Sequence, residues 1–348
     1  MTLACVMACV LLAPGANAAT GAASAATVEP TARAVIDQFQ KNGGTFKGYR
    51  RNHAKGVCVS GYFESSGHAA AYSSAPVFQP NTRTPVVGRL SIPGTNPYAW
   101  DGATPIRGMA LVFLQADGHE WRTAMNAVPA FPVATPAENF EFIRAQQPDP
   151  KTGDPDPAKL AAFFAAHPTA NAFRKWDQTT KPSASYATVA YNSLDAFYFV
   201  APNGTRRAVR WSMRPEAQPA HAALPSDQPN FLATDLRARL ARGPLRWHLV
   251  VTFAAPGDAV DDASKAWPAD RQHLDAGTLV ILASQPQKIG VCRDISFDPL
   301  VLPHGIEPSA DPLLKARAEA YAESLKRRLH DEATRAAPLP ATSAATHP

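Results

Sequence analysis

At 348 residues, 45% of them apolar and 18% charged, the chain has the balance of a globular protein with ample material for a sizeable core. Its formal net charge of +5 is spread along the sequence. The one compact basic cluster, Lys326-Arg327-Arg328, is too small for a nucleic-acid-binding stripe and no binding-module signature accompanies it, which excludes nucleic acid as a partner.

Residues 1–18 read as a secretory signal. The apolar run from Leu3 to Leu12 is too short to span a bilayer. Pro14, Gly15 and an Ala16-Asn17-Ala18 cleavage site follow it, although the usual Lys or Arg is missing before it. The expectation is a periplasmic or secreted protein without membrane insertion. Cys5 and Cys9 leave with the signal, so Cys58 and Cys292 remain. In an oxidising compartment the two can pair. Two cysteines in a large domain are more often buried small residues, and unpaired thiols are the expectation here. Residues 19–33, rich in Ala and Thr, read as a flexible leader. The stretch 336–348, rich in Ala, Pro, Thr and Ser, reads as a disordered tail. Between them, 34–335 forms one domain with no repeat of fixed period.

Within that domain, period-two alternation predicts strands at 57–64, 85–92, 107–115, 186–191, 197–200, 208–211, 245–253 and 278–284. In the seventh, Leu245, Trp247, Leu249, Val251 and Phe253 share one face. The pair 197–200 and 208–211 flanks Asn203-Gly204, a hairpin signal because both residues tolerate positive φ. Helices are predicted at 157–166, opened by Asp156-Pro157 and closed before Pro168, at 235–242, stopped by Gly243-Pro244, and at 311–329. So many antiparallel strands point to a closed barrel, with a sandwich equally allowed by periodicity.

The last helix carries Arg317 and Tyr321 four residues apart, hence on one face, and Arg328 returns to that face with Leu314, Ala318 and Leu325 filling the stripe. An arginine favours the phenolate form of a neighbouring tyrosine, and a ferric ion favours it far more. Tyrosinate is one of the axial ligands of haem iron. The spacing alone is equally that of an ordinary surface pair.

Other segments give that pair its meaning. Arg50-Arg51-Asn52-His53-Ala54-Lys55-Gly56 stands near the N-terminus, and Phe297-Asp298-Pro299 followed by His304-Gly305-Ile306-Glu307-Pro308-Ser309 precedes the last helix. Between them, in order, lie Gly88-Arg89-Leu90-Ser91, Ile106-Arg107-Gly108-Met109-Ala110, Asn126-Ala127-Val128-Pro129, Lys265-Ala266-Trp267-Pro268 and Ala276-Gly277-Thr278-Leu279. This series resembles the haem catalases over roughly residues 45–330. The resemblance implies an α+β fold, a catalase-like eight-stranded antiparallel β-barrel with flanking helices, and a haem between barrel and last helix. With no CxxCH attachment motif, the implied cofactor is non-covalent haem b, its iron bound by Tyr321. It also implies His53 as the acid–base group, Asn126 as a hydrogen-bond donor to the peroxide, and Ser91 as the group that fixes the tautomer of His53. Arg317 would tune the phenolate, while Arg50, Arg89 and Arg328 would hold the haem carboxylates.

Two departures stand out. A phenylalanine that often stacks near the haem edge is replaced, with Asn139 at or beside that position and Phe140 next to it. Little follows Arg328, as in the short catalase-related peroxidases of bacterial envelopes. The expectation is a peroxidase that cleaves hydrogen or organic peroxides, oxidises a small organic donor and has weak catalase activity. A true small catalase and a non-catalytic haem-binding protein are the alternatives, and a homo-oligomer is compatible with all three.

Overall fold

The computed structural model describes residues 29–219 and 223–336. The expected signal peptide, most of the leader and nearly all of the expected tail lie outside the described residues. The strands are β1 (Gly56–Ser65), β2 (Arg83–Ser91), β3 (Gly108–Leu114), β4 (Glu120–Asn126), β5 (Tyr191–Asn192), β6 (Phe197–Val200), β7 (Arg206–Pro215), β8 (Leu245–Phe253), β9 (His273–Pro286) and β10 (Ile306–Pro308). Every pairing among them is antiparallel.

Two of the ten act as one. β5 and β6 both pair with β7, at Tyr191↔Met213 and Phe197↔Val209, so they are successive pieces of one interrupted strand. Taken so, the ring runs β1-β2-β3-β4-β5/β6-β7-β8-β9 and back to β1, an eight-stranded closed barrel with β10 added beside β6. Closure leaves no long unpaired edge.

Alternation fills the interior. All five residues of the Leu245–Phe253 face are buried and their neighbours are partly exposed, as the sequence predicts. Phe113 stacks on Trp121 at 4.5 Å between ring centres, and Trp121 meets Trp211 edge-on at 5.2 Å. The barrel is therefore a packed aromatic core and leaves no room for a ligand inside it.

Several elements depart from the expected ones. The strand at 186–191 contracts to Tyr191–Asn192, because the Tyr186 carbonyl accepts from the Tyr191 hydroxyl at 2.9 Å within a turn. β4 was not predicted; its inward residues Trp121, Thr123 and Met125 mix one polar group into the apolar face. The helices are α1 (Ala32–Gly43), α2 (Pro136–Ala145), α3 (Pro157–Ala166), α4 (Asn171–Thr179), α5 (Phe231–Leu240) and α6 (Pro312–Ala336), of which α1, α2 and α4 were not predicted. α5 opens four residues before Asp235 because its cap comes from afar: the Leu232 N–H donates to the Asp101 carboxylate at 2.8 Å.

The cysteines correct the sequence reading. Cys58 of β1 and Cys292 are joined in a disulfide with Cα atoms 5.3 Å apart, closing a separation of 234 residues. The bridge forms a buried cluster with Phe297 and Val112, and Tyr321 packs against that cluster.

Candidate functional site

The site is built at one end of the barrel, where three strands stand in register. Ser91 of β2 faces Gly108 of β3, and Gly108 faces Asn126 of β4. The loop ahead of β1 brings His53 over this row. A side chain at Gly108 would put its first carbon 2.8 Å from Ser91 Oγ and 3.1 Å from the His53 ring, so the absence of one is what admits the imidazole.

His53 adopts φ 51°, the left-handed region that a residue with a side chain seldom takes. It is held there from three sides. Its N–H donates to Asn52 Oδ1 at 2.8 Å, its carbonyl accepts from Arg89 Nη2 at 2.7 Å, and its Nδ1 lies 3.0 Å from Ser91 Oγ. Desolvation of this part-buried ring, reinforced by Arg89, Arg317 and Arg50, pushes the imidazole down to about 3, so the ring is neutral at ordinary pH.

Asn126 serves two purposes at once. Its amide oxygen accepts from the Val128 N–H at 3.0 Å, the turn role common for asparagine. With the oxygen engaged, the NH2 group is what remains to donate into the cavity.

Opposite these groups runs α6. Its cavity face is Leu313, Ala316, Arg317, Ala320, Tyr321, Ser324, Leu325 and Arg328, a stripe with helical spacing, with Glu319 at its border. Leu314, expected on this stripe, instead joins the barrel core, and Ala318 does not line the cavity; both sit about 100° round the helix from their neighbours on it. Arg317 lies beside the Tyr321 phenol on the same cavity, donates Nη2 to the Ala124 carbonyl at 3.0 Å and pairs through Nη1 with Asp195. Burial opposes its charge, but Asp195 and Tyr321 outweigh burial and hold the guanidinium above its ordinary value.

Three further arginines converge with little to neutralise them. Arg50 is anchored by Nη2 to the carbonyls of Cys292 (3.1 Å) and Ile295 (2.8 Å). Burial, and repulsion from Arg89 and Arg328, hold its guanidinium well below the usual value. Burial also lowers Arg89, to about 10, and Arg328. Nε of Arg89 and Nε of Arg328 are buried with no hydrogen-bond partner among the described residues. Clustered buried cations with orphaned donors are unfavourable unless an anion joins them.

All eight side chains singled out in the sequence, Arg50, His53, Arg89, Ser91, Asn126, Arg317, Tyr321 and Arg328, line one cavity of about 1440 Å³ including its mouth. Asn139 of α2 lines it too, and Phe140 does not. The donor set fits haem: a phenol for iron, three guanidiniums for two carboxylates, and an apolar wall that includes Ile36, Phe39, Met109 and Phe131 for the ring. A second cavity adjoins it and shares His53 and Asn126, but none of Arg317, Tyr321 or Arg328. That geometry makes it an approach to the His53 side. Gly108 and Asp195 are the functional positions that sequence reasoning missed. Gly108 stands inside a matched segment, whereas Asp195 has no local signal.

Comparison with known proteins agrees with this architecture. The catalase family model matches residues 35–345. A catalase-related peroxidase of Synechococcus elongatus is 39% identical over 84% of this chain and 87% of that protein. Another, of Mycolicibacterium paratuberculosis, is 33% identical over 84% of this chain and 93% of that protein. Among solved structures, a fungal catalase superposes with a TM-score of 0.72 at 23% identity, a likeness of fold, covering 81% of this chain and 60% of its own. The chain thus spans about 60% of the length of that catalase. A family match across most of the sequence and two relatives above 30% identity lead to one conclusion: the chain belongs to the catalase family.

Proposed function

We propose that this protein binds haem b through Tyr321 and acts as a peroxidase, cleaving hydrogen or organic peroxides at the expense of a small organic donor and releasing oxygen only weakly. Family membership makes the chain a peroxide-acting oxidoreductase, and two relatives named as catalase-related peroxidases support the finer reading. The observation that carries it is the neutral, desolvated His53 on the same cavity as Tyr321 and the arginine cluster.

Haem, when bound, supplies the ferric iron at which the O–O bond is split. The side chains do the rest. Donation of Nδ1–H to Ser91 Oγ leaves the lone pair of His53 on Nε2, the tautomer needed to take a peroxide proton and return it to the leaving oxygen. The Asn126 NH2 group can stabilise charge that develops on the peroxide. Arg50, Arg89 and Arg328 hold the two carboxylates, and Arg317 modulates the phenolate. Simple haem storage requires neither His53 in a strained, neutral state nor an oriented Asn126.

The disulfide supports the reading of an exported protein, since such bridges persist in oxidising compartments. The direct test of the chemistry is His53→Ala. The variant is expected to keep haem and lose peroxide cleavage by about a hundredfold or more, the usual contribution of a positioned acid–base group. Stopped-flow spectra with equal rates in variant and wild type would remove His53 from this role.

A further inference from the structure

The Arg317 that meets Tyr321 is itself gripped by a carboxylate. Asp195 is 2% exposed, and it pairs with Arg317, whose side chain is 21% exposed towards the cavity. No regular strand could deliver it there. β5 ends at Asn192 and β6 resumes at Phe197, and the gap holds a two-residue slip in register against β7. Within the gap Leu194 takes φ 67°, and the Asp195 N–H returns to the Ser193 carbonyl at 2.9 Å. Irregularities of this type re-aim a side chain, at a backbone cost that the surroundings must offset.

Two further charged groups stand near the pair. Asp311, which caps α6 through the Leu313 N–H at 2.9 Å, adds a second carboxylate, with Oδ2 buried and without a partner among the described residues. Arg210 supplies the other nearby cation and is itself anchored to the carbonyls of Lys265 (2.7 Å) and Asp262 (3.0 Å). The Asp195 charge is thus directed to Arg317 and, through it, to the phenol.

We propose that Asp195 is a positioning residue that sets how strongly Tyr321 donates to the iron, by fixing the Arg317 guanidinium in an ion pair and withdrawing part of its positive charge from the phenolate. This rests on Tyr321 being the iron ligand. With Asp195 present, the phenolate faces a donor whose charge is largely balanced, so its electron density remains available to ferric iron. Without it, Arg317 pulls that density toward itself and the ferric state loses stabilisation.

The test is the ferric/ferrous midpoint potential of the purified holoprotein. Asp195→Asn should move the one-electron equilibrium towards ferrous by about tenfold, about 59 mV upward. Asp195→Glu, which keeps the charge, should return most of the shift. An unchanged potential in a haem-replete Asp195→Asn protein would overturn the proposal. Tyr321→Phe separates the two ideas. A Tyr321→Phe spectrum identical to wild type dismisses the ligand and the proposal with it, whereas an altered spectrum beside a silent Asp195→Asn dismisses Asp195 alone. If Asp195→Asn does not fold because Arg317 is left unpaired, Arg317→Gln and the double variant Arg317→Gln/Asp195→Asn decide. Equal potentials in these two are expected, since Asp195 acts through Arg317, and unequal ones overturn the assignment.

Discussion

His53 is held in a backbone conformation and a protonation state that the unfolded chain does not favour, and both have measurable consequences. Its imidazole falls from about 6.5 to about 3 on folding because burial disfavours the charged form. Between those values the unfolded chain binds a proton that the folded one does not, so stability is full above pH 6.5 and declines as pH falls towards 3. The decline is about 1.4 kcal/mol per pH unit at most. Asp311 works in the opposite sense: burial and Asp195 raise it to about 6, so it loses stability as pH rises through that range. Replacing His53 isolates its share. In urea titrations at pH 7 and pH 4.5, His53→Gln should lose less stability on acidification than the wild type does, and parallel losses would contradict a buried neutral imidazole. Tyr321→Phe should abolish stable haem incorporation or change the ferric spectrum, and an unaltered spectrum would remove Tyr321 as ligand. That the eight side chains would gather on one cavity was legible because five stand in short segments that resemble family segments and three share one face of the last helix. Asp195 was not, since its role depends on where an interrupted strand bends, and no residue-type pattern encodes that.

The disulfide joins two elements that carry the site. Cys58 lies in β1 directly across from Arg89 in β2, and the Cys292 carbonyl accepts from Arg50. One bridge therefore fixes both the strand behind one arginine and the loop that anchors another. Replacing Cys58 and Cys292 by serine should lower unfolding stability by about 2–4 kcal/mol, typical for a native bridge. It should also speed haem loss to an acceptor protein. Unchanged haem retention with reduced stability would confine the bridge to folding. Sequence spacing could not reveal the pairing, because 234 residues of barrel bring the two cysteines together. The same distance argument explains the uneven reading of other elements. β8 was legible from strict alternation, and α3 from Asp156-Pro157 at its start. α2 was missed although Thr135 and Glu138 form a complete capping box with Pro136 in the first turn. α1 and α4, short and packed on other helices, take much of their stability from tertiary contact.

The barrel buries its own aromatic core, so the cofactor cavity has to lie outside it, between the strand ends and α6, with a second cavity leading to His53. That approach is lined by Phe39, Phe131, Phe142 and Phe173 and by polar but uncharged Asn42, Asn52 and Gln146, with no Asp, Glu, Lys or Arg among the described residues. Its cavity volume of about 310 Å³ exceeds what a hydrogen peroxide molecule needs and lies at the lower end of the range that takes a small organic ligand. On the cofactor cavity, Asn139 stands where the resemblance expects a phenylalanine, so one aromatic wall is replaced by a smaller polar one. Both features admit reductants larger than peroxide. When hydrogen peroxide and an oxidisable phenol are supplied together at equal concentration, phenol oxidation should therefore outpace oxygen release. Parallel steady-state assays on one holoprotein preparation measure both rates. Phe142→Trp, which narrows the approach without adding charge, should depress phenol turnover more than oxygen release, because peroxide is small enough to pass either wall. Rapid oxygen evolution with negligible phenol oxidation would instead identify a small true catalase, and the wide approach would then need another occupant.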